Sequence, residues 1–245
     1  MRGIVLAAGG GTRLHPLTEA LPKTLLEVDG RRTILDRCVA NLAEAGLDHV
    51  VVVAGHAAER IHDVIDELAT THEVDIEVVF NPRFETANNA YSLWWVREHL
   101  RDGALIVNGD TLHPSSVEDT LLAVRGQAPI ILAIDAAKTL ADEEMKVELD
   151  HGGGMQRISK QLDPRTAAGE YIGVALIEPD AVVRLADALE RTWSEDPGRW
   201  YEDGFQRYVD DGGRIGTAPI GAVDWVEVDD HDDLARARAM FGRGD

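Results

Sequence analysis

Thiols, lysine and positive charge are what this chain has least of. Cys38 is the single cysteine among 245 residues, so no internal disulfide is available, and without a second thiol no thiolate metal site can form. Its expected role is that of a small buried apolar residue. No stretch approaches the roughly 18 apolar residues that a membrane span needs, and Gly3-Ile4-Val5-Leu6-Ala7-Ala8 is too short and too glycine-flanked for a secretory leader. A cytoplasmic protein without a membrane partner is the expectation. Bases number 24 against 44 acids, a formal net charge of -20, and a field of that sign repels polyphosphate backbones. Nucleic acid is therefore excluded as an expected partner. Arginine dominates the bases, leaving only Lys23, Lys138, Lys146 and Lys160. That bias reads as habitat, a high-GC genome or a salt-adapted cytoplasm, yet each lysine in so sparing a chain asks whether a compact ammonium is needed there.

What is present is a rhythm. Short β-rich apolar runs at Arg2-Ala8, His49-Ala54, Ile76-Asn81, Ala104-Asn108, Ile130-Asp135, Tyr171-Ile177 and Trp225-Val228 alternate with helical stretches. The helices are expected at Thr33-Ala45, Ala57-Leu68, Ala87-Leu100, Ser115-Val124, Pro179-Thr192, Tyr201-Asp210 and Asp230-Phe241. Alternation of this kind predicts an α/β fold, a parallel sheet covered by helices. Thr33 and Ser115 stand where N-caps belong, and Gly46 where a helix-ending glycine does. Two alternating stretches joined across Asp150-His151-Gly152-Gly153-Gly154 break the rhythm and read as a hairpin beside the main sheet, at about residues 145–161. No repeat, linker or composition shift divides the chain, so residues 1–245 read as a single domain.

The densest chemistry lies near the start. Leu6-Ala7-Ala8-Gly9-Gly10-Gly11-Thr12-Arg13-Leu14 carries a strand straight into three glycines, with Pro22-Lys23 just beyond. Glycines at the carboxyl end of a first strand let backbone amides approach an anion closely, and consecutive N–H groups form a phosphate-binding concavity. That edge of an open parallel sheet is also where ligands bind. No Gly-Lys-Ser/Thr follows, so this is not a Walker A loop, and Arg13-Leu14 breaks the Gly-x-Gly-x-x-Gly pattern of dinucleotide binders. A flexible glycine turn is the plain alternative, but two cations beside it suit an anion.

Leu-Ala-Ala-Gly-x-Gly-x-Arg-Leu followed by Pro-Lys resembles the signature of nucleotidylyltransferases that act on sugar 1-phosphates and phospho-alcohols. The resemblance implies a Rossmann-like fold of the nucleotide-diphospho-sugar transferase type, a mostly parallel mixed sheet flanked by helices, with the hairpin appended. It further implies that Leu6, Ala7, Ala8, Gly9, Gly10, Gly11 and Thr12 wrap a nucleoside triphosphate while Arg13 and Lys23 neutralise its phosphates. Asn108-Gly109-Asp110-Thr111 looks like the family's Gly-Asp element, and Trp225-Val226-Glu227-Val228-Asp229 resembles its Trp-x-Glu-Ile-Asp stretch. Asp110 and Asp229 are thereby implied as ligands of Mg²⁺, a cation that prefers hard oxygen donors. Without the family, either aspartate reads as a cap or turn former.

Further stretches narrow the resemblance. Asn88-Asn89-Ala90-Tyr91-Ser92-Leu93, Gly169-Glu170-Tyr171-Ile172-Gly173-Val174 and Trp200-Tyr201-Glu202-Asp203 are similar to elements of phosphocholine and phosphonate cytidylyltransferases. Asn88, Asn89 and Ser92 are implied at the nucleotide, since an amide both donates and accepts and so suits a pyrimidine edge; capping the helix that begins there is their other reading. Lys160 falls where the family carries a lysine for the acceptor's phosphate, and Lys146, Glu170, Trp200, Tyr201 and Glu202 join it as acceptor candidates. Trp200 with Tyr201 is the better candidate for a cation–π face should the acceptor carry an ammonium. Asn108 departs from the Asp-x-Asp of phosphocholine enzymes, which tells against choline itself. His15 is the one histidine expected near the site, as packing or a minor phosphate contact.

The expectation drawn from all this is a CTP-dependent, Mg²⁺-dependent cytidylyltransferase acting on a small phospho-alcohol or phosphonate and releasing pyrophosphate, with Arg13, Lys23 and Asp110 as its catalytic residues. Two alternatives stay open: a sugar-1-phosphate nucleotidylyltransferase using UTP, GTP or dTTP, and a non-catalytic nucleotide sensor. Assembly as a homodimer is open as well.

Overall fold

The computed structural model describes residues 1–242. Its centre is a sheet in the order β10 (Ile215–Pro219), β6 (Ile130–Asp135), β9 (Gly169–Ile177), β4 (Ala104–Asn108), β1 (Arg2–Ala7), β2 (His49–Ala54), β3 (Asp75–Phe80). Helices α1 (Ile34–Glu44), α2 (Ala58–His72), α4 (Ser116–Ala123) and α7 (His231–Phe241) cover one face, and α3 (Asn89–Trp95), α5 (Val182–Glu195) and α6 (Tyr201–Asp210) cover the other. The central strands are apolar throughout because both faces are buried. Their alternate residues divide between two cores: Val5, Val50, Val52, Leu105 and Val107 pack into one, Ile4, Val51, Val53 and Ile106 into the other. The α/β layering and the mixed, mostly parallel sheet are those of the expected fold.

One strand is not parallel. β9 runs antiparallel to both β4 and β6, which is what makes the sheet mixed, as the resemblance implies. The cause is the connection. β6 leads at its carboxyl end into the hairpin of β7 (Lys146–Leu149) and β8 (Met155–Ser159) instead of into a crossover helix. The chain therefore enters β9 where β6 ends, with Asp135 opposite Glu170, and runs back. β7 also pairs with β9 through Lys146↔Glu170 and Val147↔Gly169, which docks the hairpin against the main sheet.

Smaller differences have local reasons. β10 is absent from the expected strands, since Gly216, Thr217 and Pro219 read as loop; as an edge strand it tolerates them. The stretch expected as helix from Ala87 to Leu100 is α3 followed by a 3₁₀ turn over Arg97–Leu100. Thr33 caps α1 by accepting from the Asp36 N–H, whereas the Ser115 side chain makes no cap bond at α4. Cys38 is buried in the core. Finally β5 (Thr111–Leu112) and β11 (Val226–Glu227) form a short antiparallel pair at the carboxyl edge of the sheet, with Glu227 opposite Thr111. That pair brings the end of β4 and the start of α7 together. No helix among the described residues is long and apolar enough to cross a membrane.

Candidate active site

The carboxyl edge of the sheet opens into a cleft of about 780 Å³. β1 delivers the glycine loop to it. Gly11 takes a left-handed backbone, φ 56°, and a Cβ there would lie 3.0 Å from the Lys23 Cβ, so glycine is needed both for the turn and for the approach of Lys23. Thr18 Oγ1 donates to the Gly11 carbonyl at 2.7 Å, and His56 Nε2 lies 2.9 Å from the Thr18 carbonyl. The histidine that braces the loop is thus His56; His15 offers its carbonyl to His231 instead. Leu6, Ala8, Gly9 and Arg13 line the cleft, and Ala7, Gly10, Gly11 and Thr12 are not among its lining residues.

Lys23 stands at the junction of the three segments. Its Nζ donates to Asp110 Oδ2 at 2.7 Å and to Asp229 Oδ1 at 3.1 Å, and the side chain is only 12% exposed. Arg13 Nη2 reaches the other Asp229 oxygen at 2.6 Å from a side chain 66% exposed. Burial by itself would lower the Lys23 ammonium, but the two carboxylates outweigh it and hold the group above its ordinary value. For Asp229 burial pulls upward, and Lys23 and Arg13 outweigh it and hold the carboxyl below. Glu227 joins them through the β5–β11 pair. One oxygen each of Asp110, Glu227 and Asp229 lies within 4.8 Å of the others. Burial, with Asp110 and Asp229 adding to it, pushes the Glu227 carboxyl up to about 8.

These carboxylates fit a hard divalent cation. Asp110 Oδ1 is buried with no hydrogen-bond partner among the described residues, and three oxygens converge on one point, the donor set that Mg²⁺ takes. Sequence reasoning misses Glu227 because it alternates with Val226 and Val228 as an outward strand residue would. Its place two residues before Asp229 is the available signal.

The wall beyond the glycine loop is built by the start of α3. Asn88 caps that helix: its Oδ1 accepts from the Asn89 N–H at 2.8 Å and its Nδ2 donates to the Gly198 carbonyl at 3.1 Å. Both ends of its amide are engaged within the protein. Asn89 accepts from the Tyr201 N–H at 2.9 Å through Oδ1, leaving its Nδ2 without a partner among the described residues. Ser92 Oγ accepts from Asn81 Nδ2 at 2.9 Å. Both asparagines line the cleft; the whole NH2 group of Asn89 is without a partner among the described residues, whereas the Asn88 amide is engaged at its oxygen and through one N–H.

At the far end the structure separates the expected acceptor residues. Lys146 does not reach the cleft. It is fully buried, and its ammonium donates to the carbonyls of Ala141, Asp142 and Glu144 at 3.1, 2.6 and 3.0 Å, because its place on β7 points the side chain under the 141–144 loop. Tyr201 is also sealed inside; its hydroxyl donates to Asn108 Oδ1 at 2.9 Å and lies 3.0 Å from the Tyr171 hydroxyl. Gly173, with φ 82°, makes room for that Asn108 side chain, since a Cβ would come within 2.6 Å of it. Lys160, Glu170, Trp200 and Glu202 do face the cleft. Glu170 pairs with Lys138 at 2.7 Å, and Lys138 also binds Glu144 at 2.6 Å and lies 5.2 Å over the Trp225 ring. No sequence motif marks Lys138. Asp135, which accepts from Trp225 Nε1 at 2.8 Å, has a signal that could have found it, as the polar residue closing an apolar strand at the ligand edge.

Residues 2–144 match the family described as nucleotidyl transferase. Over 98% of its length the chain is 30% identical to CMP-5'-(3-aminopropyl)phosphonate synthase of Streptomyces rubellomurinus, covering 39% of that protein. Over 43% of its length it is 34% identical to choline-phosphate cytidylyltransferase of Streptococcus pneumoniae, again covering 43%. It thus spans less than half of either curated relative. Among solved structures, the inositol-1-phosphate CTP transferase from T. maritima superposes with a TM-score of 0.81 at 22% identity, over 99% of this chain and 96% of that one.

Proposed function

Because this chain belongs to the nucleotidyl transferase family, we propose that it transfers the cytidylyl group of CTP to a small phosphorylated alcohol or phosphonate. An oxygen of the acceptor's phosphate or phosphonate forms a new bond to the α-phosphorus of CTP. The bond from that phosphorus to the bridging oxygen breaks, and its electron pair leaves with pyrophosphate. The attacking oxygen is already anionic at neutral pH, so no general base is required. What remains is alignment and neutralisation of charge.

The observation that carries this reading is the Lys23 ammonium held between Asp110 and Asp229 behind a glycine loop that also presents Arg13. Lys23 and Arg13 meet the developing charge on pyrophosphate. Asp110 and Asp229, with Glu227 beside them, would hold Mg²⁺, which when bound supplies charge neutralisation between two anionic reactants. The Asn89 amide and the Asn81–Ser92 pair form the polar wall suited to a pyrimidine. Lys160 faces the cleft, where it draws in the acceptor's anion.

The test is pyrophosphate release in the presence of Mg²⁺, crossing CTP, UTP, GTP, ATP and dTTP with phospho-alcohols, phosphonates and glucose 1-phosphate. Release with CTP and a phospho-alcohol or phosphonate supports the reading. Release only with a sugar phosphate and another triphosphate overturns the acceptor and the base together, and nucleotide binding without any turnover marks a sensor.

A further inference from the structure

The cleft continues at its hairpin end into a second cavity of about 360 Å³, and the two spaces share Met145, Lys160, Trp200 and Glu202. Glu202, in the first turn of α6, is 6% exposed, and its Oε2 has no hydrogen-bond partner among the described residues. Burial pushes this carboxyl up to about 7. A buried carboxylate oxygen without a donor is unfavourable unless something else supplies one. Arg199 at this end pairs with Asp196 at 3.3 Å and with Asp203 at 3.2 Å, and the Lys160 ammonium acts on Glu202 through space without hydrogen-bonding to it.

Trp200, exposed to 40%, is the obvious aromatic surface for a cationic ligand, and the sequence points to it. In the structure that ring is taken, for Lys160 Nζ lies 5.2 Å from its centroid. A quaternary ammonium carries no N–H and is recognised through aromatic faces. This end of the cleft offers the reverse, an occupied ring and an unmatched hydrogen-bond acceptor.

We infer that Glu202 receives an N–H from an ammonium group on the acceptor, so that the enzyme selects phospho-alcohols or phosphonates ending in an N–H-bearing amine over those ending in a quaternary ammonium. The inference rests on cytidylyl transfer as the activity. Lys160 then has two tasks at one position: it covers Trp200, and its charge faces the acceptor's phosphate or phosphonate while Glu202 holds the opposite, cationic end.

A methylation series tests it. With the full chain, saturating CTP and Mg²⁺, kcat/KM is measured for phosphoethanolamine, its N-methyl and N,N-dimethyl forms, and phosphocholine. The first three keep an N–H, so kcat/KM should stay within about 10-fold across them and drop about 100-fold at the third methyl, the scale of leaving one buried acceptor without its donor. In Glu202→Gln the last step should shrink to about 3-fold, since the charge-assisted bond it reads is weakened. A step that persists undiminished in Glu202→Gln marks crowding and overturns the inference. So do values that stay level or rise with methylation in the unaltered protein, a result that needs no variant to fold and leaves cytidylyl transfer standing. Absence of turnover with every member, alongside CTP-dependent turnover of a phosphate lacking an amine, also overturns the inference alone. Absence of CTP-dependent turnover with any acceptor overturns the function reading and the inference with it.

Discussion

The glycine-loop side of the cleft and the hairpin side are built on different plans. On the loop side, one stretch of nine residues at the end of β1 supplies a backbone surface, and each cation there is held by a carboxylate: Lys23 by Asp110 and Asp229, Arg13 by Asp229. On the hairpin side, the residue after β8, β9, the loop after β6 and the start of α6 each contribute side chains from separate parts of the chain. Several residues of the right type there are used by the fold itself, Lys146 under a loop and Tyr201 in a buried hydroxyl chain. The first plan suits a ligand part that does not vary, a triphosphate. The second can change one side chain at a time, which suits an acceptor that differs among relatives.

The comparison is broken most sharply at Asp110. If the loop side is the common catalytic core, Asp110→Asn should lower kcat with every acceptor by about 1,000-fold or more, the several kcal/mol that a metal-binding carboxylate supplies. An effect confined to one acceptor would place Asp110 on the hairpin side of the division. Next comes Lys23→Ala, which leaves Asp110 and Asp229 facing each other without their shared ammonium. A loss of about 100-fold in kcat/KM for CTP is expected, on the scale of losing one preorganised charge partner of the leaving group. KM for the acceptor should change little, and an acceptor-dominated effect in steady-state kinetics would refute the placement.

The same division explains how much is legible in the sequence. The loop-side residues can be read there because they are contiguous, or lie just past the end of an apolar strand as Asp110 follows β4, and a strand's end is visible in a pattern of hydrophobicity. Glu227 escapes because alternation with two valines is what any half-exposed strand shows, and only its pairing with Thr111 turns it toward Asp110. On the hairpin side, residue type is legible and direction is not. Lys146 and Lys160 belong to the same hairpin, and apart from the family resemblance that favours Lys160 nothing in their local sequence separates them. Their fates depend on which face of a two-stranded ribbon lies against β9, a matter of register that no local pattern records. The place of β9 can be read from the sequence but its orientation cannot, since the rhythm of apolar runs carries no sign for strand direction.

Those two lysines provide a sharper test of the hairpin side. Lys146→Met removes three hydrogen bonds from a fully buried ammonium and leaves the carbonyls of Ala141, Asp142 and Glu144 without it. A loss of about 3 kcal/mol in unfolding free energy is expected, measurable by denaturant titration. Lys160→Ala should leave the denaturation midpoint nearly unchanged and raise KM for the acceptor by about 10-fold or more. If the two variants exchanged these signatures, Lys160 would be the buried lysine of the hairpin and Lys146 the one facing the cleft, and the division between structural and ligand-facing residues on this side would fail.

The smallest effect concerns a buried pair beneath the loop side. His113 and Glu118 lie 3.6 Å apart with almost no exposure, just beyond the β5 strand that follows Asp110. Burial raises the Glu118 carboxyl to about 8 and lowers the His113 imidazole to about 4, so both are neutral in the fold at intermediate pH. Glu118, raised above its ordinary carboxyl value, contributes stability that is fully present at acid pH. That contribution is lost as pH rises toward 8, because the native state holds a proton that the unfolded chain releases. His113 acts in the other direction: as pH falls from 6.5 toward 4 the unfolded chain takes up a proton that the native state resists. Melting temperature measured against pH should therefore decline on the alkaline side between about 5 and 8, and Glu118→Gln should flatten that decline by roughly 5 °C at the upper end. A variant whose profile kept the full alkaline slope would show that Glu118 is already ionised in the folded protein. The loop side would then rest on a buried charge with no ion-pair partner, unlike Lys23, Arg13 and Asp229 above it.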